Sequence, residues 1–237
     1  MNTATHFFFF FAQTSSAGAE LNGAGTIAIT AVSDLSTSIT LTGAATVDVA
    51  GTGNLSTEIR CTGTADLSIT ATGDLTTGIA LAGAATVSIA GASDLTTAIP
   101  LAGAATVTLT ATADLSTAIR LAGSADLAIT AIGELEGGGA ALVGAADVAL
   151  TGMGDLTTAI PLEGSATLGV TGLGDLTTAI RLVGAADLAI TAIGSLAPAI
   201  EPTADVTVAM RAIQPVVVLI ELEDVAVRAY DEMVIAA

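Results

Sequence analysis

Aspartate recurs every twenty residues along most of this chain, and a file of carboxylates is the one feature whose type and spacing could do chemistry. Asp34, Asp74, Asp94, Asp114, Asp155 and Asp175, with Asn54 in the same series, each follow a Gly or Ser or Ala and precede a leucine. Two chemistries fit such a series. A short acid at a corner accepts hydrogen bonds from backbone N–H groups one or two residues on, and so caps a turn. Alternatively, stacked acids ~5 Å apart repel by ~0.8 kcal/mol per pair in water, which a calcium ladder would relieve. No second acidic position adjoins each corner to complete six or more oxygen ligands, so turn capping is the expectation and no metal or cofactor is assigned. The other reactive groups are single. His6 is the only histidine, which leaves no Ser-His-Asp or multi-histidine metal arrangement within one chain. Cys61, the only cysteine, stands where most copies of the repeat have leucine and reads as a small core residue. No catalytic constellation emerges, and a non-enzyme is expected.

The elements that must hold these residues are set by a repeat. Nine twenty-residue units run from Leu21 to Ile200. Numbered from the first leucine, position 3 is always glycine: Gly23, Gly43, Gly63, Gly83, Gly103, Gly123, Gly144, Gly164 and Gly184. Leucine holds position 15 throughout, and the phase slips once, by one residue, within Glu136–Ala141. Periods of this length mark solenoids and other arrays. Apolar residues fall at odd positions and Thr, Ser, Ala or Asp at even ones, the alternation of half-buried strands. Each unit therefore reads as two strands, near positions 5–11 and 15–21, separated by the position 3 glycine and by a second corner at positions 12–14.

The expected fold is all-β: a β-solenoid, or a trimeric β-fibre in which three chains share their apolar faces, built from nine two-strand units and ending in a small β C-terminal cap. An antiparallel meander of eighteen strands fits less well, because open sheets rarely exceed ~10 strands. Position 17 threonines such as Thr77 and Thr97 share the leucine face, where ordinary β-propensity accounts for them and a hydroxyl ladder is the alternative. Of each adjacent pair such as Thr96-Thr97 only one side chain faces outward, unlike the paired threonine ranks of an ice-binding surface. Arg60, Arg120 and Arg181 fall at position 20, each three units from the last, where Asp66, Asp126 and Asp187 are the expected ion-pair partners. The triple glycine Gly137–Gly139 in the slipped unit predicts a bulge.

The organisation is tripartite. Residues 1–20 hold five consecutive phenylalanines, Phe7, Phe8, Phe9, Phe10 and Phe11. Burying each is worth ~1.5–3 kcal/mol, and the segment reads as a docking arm for a partner subunit. Residues 21–200 are the array, and 201–237 a cap or attachment segment. The N-terminus lacks the basic stretch of a secretory signal, and no apolar run reaches the ~18–20 residues of a membrane-spanning helix. Net charge is −18, from 23 acids and five arginines, which argues against nucleic acid as a partner.

The strings Leu115–Asp126 (LSTAIRLAGSAD) and Leu176–Asp187 (LTTAIRLVGAAD) resemble the repeats of structural proteins of tailed bacteriophages. The resemblance covers Leu21–Ile200 well and the ends loosely. It implies a virion component (a fibre, a tail or baseplate protein, or a head decoration) assembled in the host cytoplasm. Its implied partners are further copies of the chain, a trimer being favoured, other virion proteins and a host-surface ligand. The alternative is an adhesin-like solenoid whose flat face binds a glycan or another surface.

Overall fold

The computed structural model describes the backbone of residues 7–12, 15–202, 206–212, 216–220, 225–230 and 233–236, and the side chains of 18–136, 141–201 and 207–211. It is a parallel β-solenoid of about nine turns with a twenty-residue coil. Strand β1 (Phe7–Ala12) is followed by β2 (Ser15–Ala31), β3 (Leu35–Gly51), β4 (Leu55–Ala71), β5 (Leu75–Gly91), β6 (Leu95–Ala111), β7 (Leu115–Ala131), β8 (Leu135–Gly152) and β9 (Leu156–Gly172). Each long strand pairs in parallel with the next at equivalent positions, Leu75 on Leu95 and Gly83 on Gly103. The shared-core trimeric fibre is therefore not the architecture: one chain closes its own core. At the ~4.8 Å rise of paired strands, nine coils make a rod ~43 Å long.

One long strand serves both sides of a coil because it bends at position 3. All nine of these glycines have φ between +113° and +135°, a conformation L side chains rarely adopt. From Gly43 onward a Cβ would also lie well inside 3.0 Å of the preceding glycine's carbonyl oxygen. Conformation and space both demand glycine, and the bend keeps its rungs in register.

The core is the narrow space between the two arms of the coil. In the coil that holds β5, Leu75, Thr77, Ile79 and Leu81 point inward from one arm, and Val87 and Ile89 from the other, all at most 6% exposed. The position 15 leucines face a small residue at position 11 of the other arm: a Cβ on Gly91 would lie 3.9 Å from the Cβ of Leu75 and 3.5 Å from that of Leu95 in the next coil. Pairing large with small is what lets a flattened coil close without voids.

Towards the C-terminus the two arms become separate strands: β10 (Leu176–Val183), β11 (Ala186–Ala192), β12 (Leu196–Pro202), β13 (Val206–Ala212), β14 (Val216–Ile220), β15 (Val225–Tyr230) and β16 (Met233–Ala236). They go on stacking in parallel, β12 on β10, β14 on β12 and β16 on β14, with β13 on β11 and β15 on β13. The β segment expected as a cap thus extends the array. At the other end, Phe7–Ala12 lie in register with Thr26–Ala31 of β2, so the phenylalanine run forms a strand at the end of the stack. The side chains of Phe7–Phe11, on which the docking-arm reading rests, lie outside those described.

Candidate functional site

The aspartate corner is a clamp between coils. Asp34 Oδ1 accepts the N–H of Asn54 at 2.9 Å, and Asn54 Oδ1 that of Asp74 at 3.0 Å. Asp114 accepts from Glu134, Asp155 from Asp175, and Asp175 from Ser195, at 2.9–3.0 Å. The expected partner was an N–H one or two residues on; the actual partner is twenty residues on. Stacking places the same corner of the next coil directly against the carboxylate, and the N–H there points along the rod. Position 12 works in the opposite direction. The hydroxyls of Thr52, Thr72 and Thr112 donate to the carbonyls of Val32, Thr52 and Ala92 in the preceding coil. Between these side chains the backbone ladder continues, as in Leu75 N–H to Asp94 O at 2.9 Å. Asn54 does the work of the aspartates, so charge is dispensable at this corner.

Among the described residues no three His, Cys, Asp or Glu side chains converge as a metal site would require. No described helix is long and apolar enough to cross a membrane. Cys61 lies in the core at 6% exposure, where burial pushes its thiol up to about 11.

Two grooves run along the rod, one on each side of the glycine ridge. The larger, about 760 Å³, spans seven coils from Thr64 to Asp187. Position 5 alanines such as Ala65, Ala105 and Ala146 form its floor, and Asp66, Asp126, Asp147 and Asp187 share one wall with Thr86, Thr106 and Thr167. The smaller, about 490 Å³, has Leu81, Leu101 and Leu121 in its lining and Arg60 and Arg120 towards its ends.

The arginines do not make the expected pairs with position 6. Arg60 pairs with Glu58, two residues away on the same outward face. Asp66 lies beyond the glycine bend, on the other side of the ridge. Arg120 and Arg181 form no ion pair among the described residues. The position 17 threonines are buried as expected, yet they form no bonded ladder: the hydroxyls of Thr37, Thr57, Thr77, Thr97, Thr158 and Thr178 have no partner. Equivalent atoms ~4.8 Å apart are too distant for O–H···O bonds of ~2.5–3.0 Å. The slipped unit does carry an irregularity, with register shifts between Thr117 and Ile119 on one side and between Gly137 and Leu142 on the other.

One surface escaped the sequence reading. At position 12, Ile132, Met153, Leu173 and Ile193 form four successive exposed apolar rungs. The change from threonine to large apolar residues was visible in the letters, but only stacking makes it a stripe.

No protein-family model, curated protein or solved structure matches this chain.

Proposed function

We propose that the protein is a structural rod, a spacer or fibre segment within a larger assembly, and does no chemistry. The observation that carries this reading is the uniform stack itself. From β2 to β9 each coil stacks on the next through parallel backbone rungs at equivalent positions, reinforced by Asp or Asn acceptors at five corners and by Thr donors in the first half of the rod, so length and stiffness are the properties the sequence elaborates. The assembly we favour is the virion of a tailed bacteriophage, on the resemblance of Leu115–Asp126 and Leu176–Asp187 alone. Peptide mass spectrometry of purified particles tests that placement, and absence of the chain from every particle preparation sinks it.

The structural role is tested by treating the coil as a unit of length. Removing Leu75–Asp94 deletes one whole coil and rejoins equivalent positions. The variant should remain folded and shorten by ~4.8 Å in small-angle scattering. Loss of the fold, or an unchanged length, would count against a modular spacer.

The adhesin-like alternative is favoured by one feature, the larger axial groove. An alanine floor about seven coils long beside a Thr and Asp wall suits an extended hydroxyl-rich polymer better than a compact ligand. Binding to immobilised polysaccharides, lost on Thr106→Trp at the groove wall, would transfer weight to that role.

A further inference from the structure

The corner that carries the aspartates changes character half-way along the rod. Its outward position 12 is Thr52, Thr72, Ala92 and Thr112 in four consecutive coils, then Ile132, Met153, Leu173 and Ile193 in the next four. The three threonines are hydrogen-bonded to the preceding coil. Their apolar successors give up that bond and stand 45–48% exposed. Such a stripe offers a few hundred Å² of apolar surface, comparable with the largest patch on a typical monomer. Elsewhere the exposed large apolar side chains among the described residues are isolated: Val32, at position 12 of the first coil, is followed by Thr52 in the next, and Val143 and Val183 sit at the opposite corner with Glu163 in the coil between them.

We propose that this stripe is the seam along which a second copy of the chain packs, side by side and parallel. Two features of the corner select that occupant. The first is periodicity. Four apolar rungs repeat at ~4.8 Å, whereas an α-helix advances 5.4 Å per turn and an extended strand ~6.6 Å per pair of residues. Over the three intervals a helix drifts by ~1.8 Å and a strand by ~5.4 Å, whereas a second copy supplies the same four rungs at the same spacing.

The second feature is the pair of unlike flanks. On one side of the stripe runs the outward position 10 column, Thr130, Thr151, Thr171 and Thr191; on the other the position 14 column, Glu134, Asp155 and Asp175 beside the first three rungs and Ser195 beside the fourth. A symmetry axis parallel to the rod sets the threonine flank of one copy against the acidic flank of the other, hydroxyl donors facing carboxylate acceptors. Asp155 and Asp175 each use Oδ1 on the next coil's N–H and keep the second oxygen for such a donor. An antiparallel pair would instead set carboxylates against carboxylates. Because every chain carries a net charge of −18, association should strengthen with salt.

The test uses the full chain. Light scattering of the purified protein should give twice 22.9 kDa, and Met153→Thr with Leu173→Thr should return it to 22.9 kDa with unchanged β circular dichroism. Threonine is native at this position in three other coils, so the fold is kept. Ile132→Cys, Leu173→Cys and Ile193→Cys, made separately, should each cross-link to themselves under mild oxidation, several-fold faster than Ala82→Cys, an exposed position at the opposite corner of the coil. The buried native Cys61 serves as the silent control. A mass of three times 22.9 kDa with the same self-pairing would place the same seam around a three-fold axis and support the proposal. A monomer at about 100 μM, a concentration that populates even a weak pair, would overturn it. So would cross-linking of Ile132→Cys only when mixed with Ile193→Cys, the antiparallel signature.

Discussion

Replacing Thr77 by valine should make the rod more stable. Thr77 is 2% exposed and its hydroxyl has no hydrogen-bond partner. Its neighbours along the rod, Thr57 and Thr97, are in the same condition. A buried hydroxyl without a partner costs ~1–3 kcal/mol on the scale set by protein mutations, while an apolar replacement of the same shape can be neutral or stabilising. Valine keeps the branched outline and the strand preference, so neither a cavity nor a clash enters the sum. The expected gain is ~1–2 kcal/mol for Thr77→Val. The exposed neighbour Thr76→Val should stay within about ±0.5 kcal/mol. Equilibrium urea unfolding followed by circular dichroism measures both, and the slope should not change if only the folded state is affected. A loss of 1 kcal/mol or more on Thr77→Val would refute the reasoning, because it would mean the hydroxyl is satisfied, by a buried water or a neighbouring carbonyl. The triple variant Thr57→Val, Thr77→Val and Thr97→Val should gain further, with departures from additivity measuring how far adjacent rungs couple.

Three other perturbations separate the devices that hold the stack. Gly103→Ala meets both a φ of +132° and the carbonyl of Gly83, whereas Gly23→Ala meets the φ of +113° with no atom within 4 Å. The first should cost more than ~4 kcal/mol and the second ~1–3 kcal/mol, read from urea midpoints; equal losses would remove the close-approach argument. Asp155→Ala should cost ~1 kcal/mol by orphaning the Asp175 N–H, and Asp155→Asn almost nothing, as Asn54 does the same work; thermal unfolding decides, and a large loss with asparagine would restore a role for charge. Cys61, its thiol pushed up to about 11 by burial, should resist iodoacetamide at pH 8 in the folded protein and react on unfolding. Because the folded value lies above the unfolded one, the protonated thiol's contribution is present below the unfolded value, and stability should fall as pH rises from about 9 towards 11. Cys61→Leu should flatten that fall.

The coil could be read from the letters because each of its rules is local. Alternation of apolar and polar residues fixes which side chains go inward, and a glycine kept at one phase of nine units marks a bend only glycine can make. What could not be read are relations between residues twenty apart. The Asp155 carboxylate could as easily have capped its own turn as the next coil's N–H, since both readings need only a short acid at a corner. Arg60 had an outward acid on either side, Glu58 and Asp66, and only the bend at Gly63 shows that they face different ways. The apolar stripe was written as four residues in four different sentences of the repeat, with nothing in any one unit to say they touch.

The buried threonines raise a last point about what the array selects for. If valine at position 17 is the more stable choice, seven threonines retained there are doing something other than stabilising the coil. A unit reading Leu-Thr-Val-Ala-Ile would be a nearly uninterrupted apolar strand, copied many times in one chain of like segments, and such segments pair in the wrong register or with other molecules before the coil closes. An inward threonine lowers the apolar content of each unit while keeping β-branched shape, so the penalty falls on the folded rod and the benefit on the unfolded chain. In the slipped unit Gly137 takes the threonine's place in the register, and the segment Glu136–Gly139 already carries an acid and three glycines in place of apolar strand. It follows that the stabilised valine variants should refold with lower yield than the parent as protein concentration rises, although each is harder to unfold.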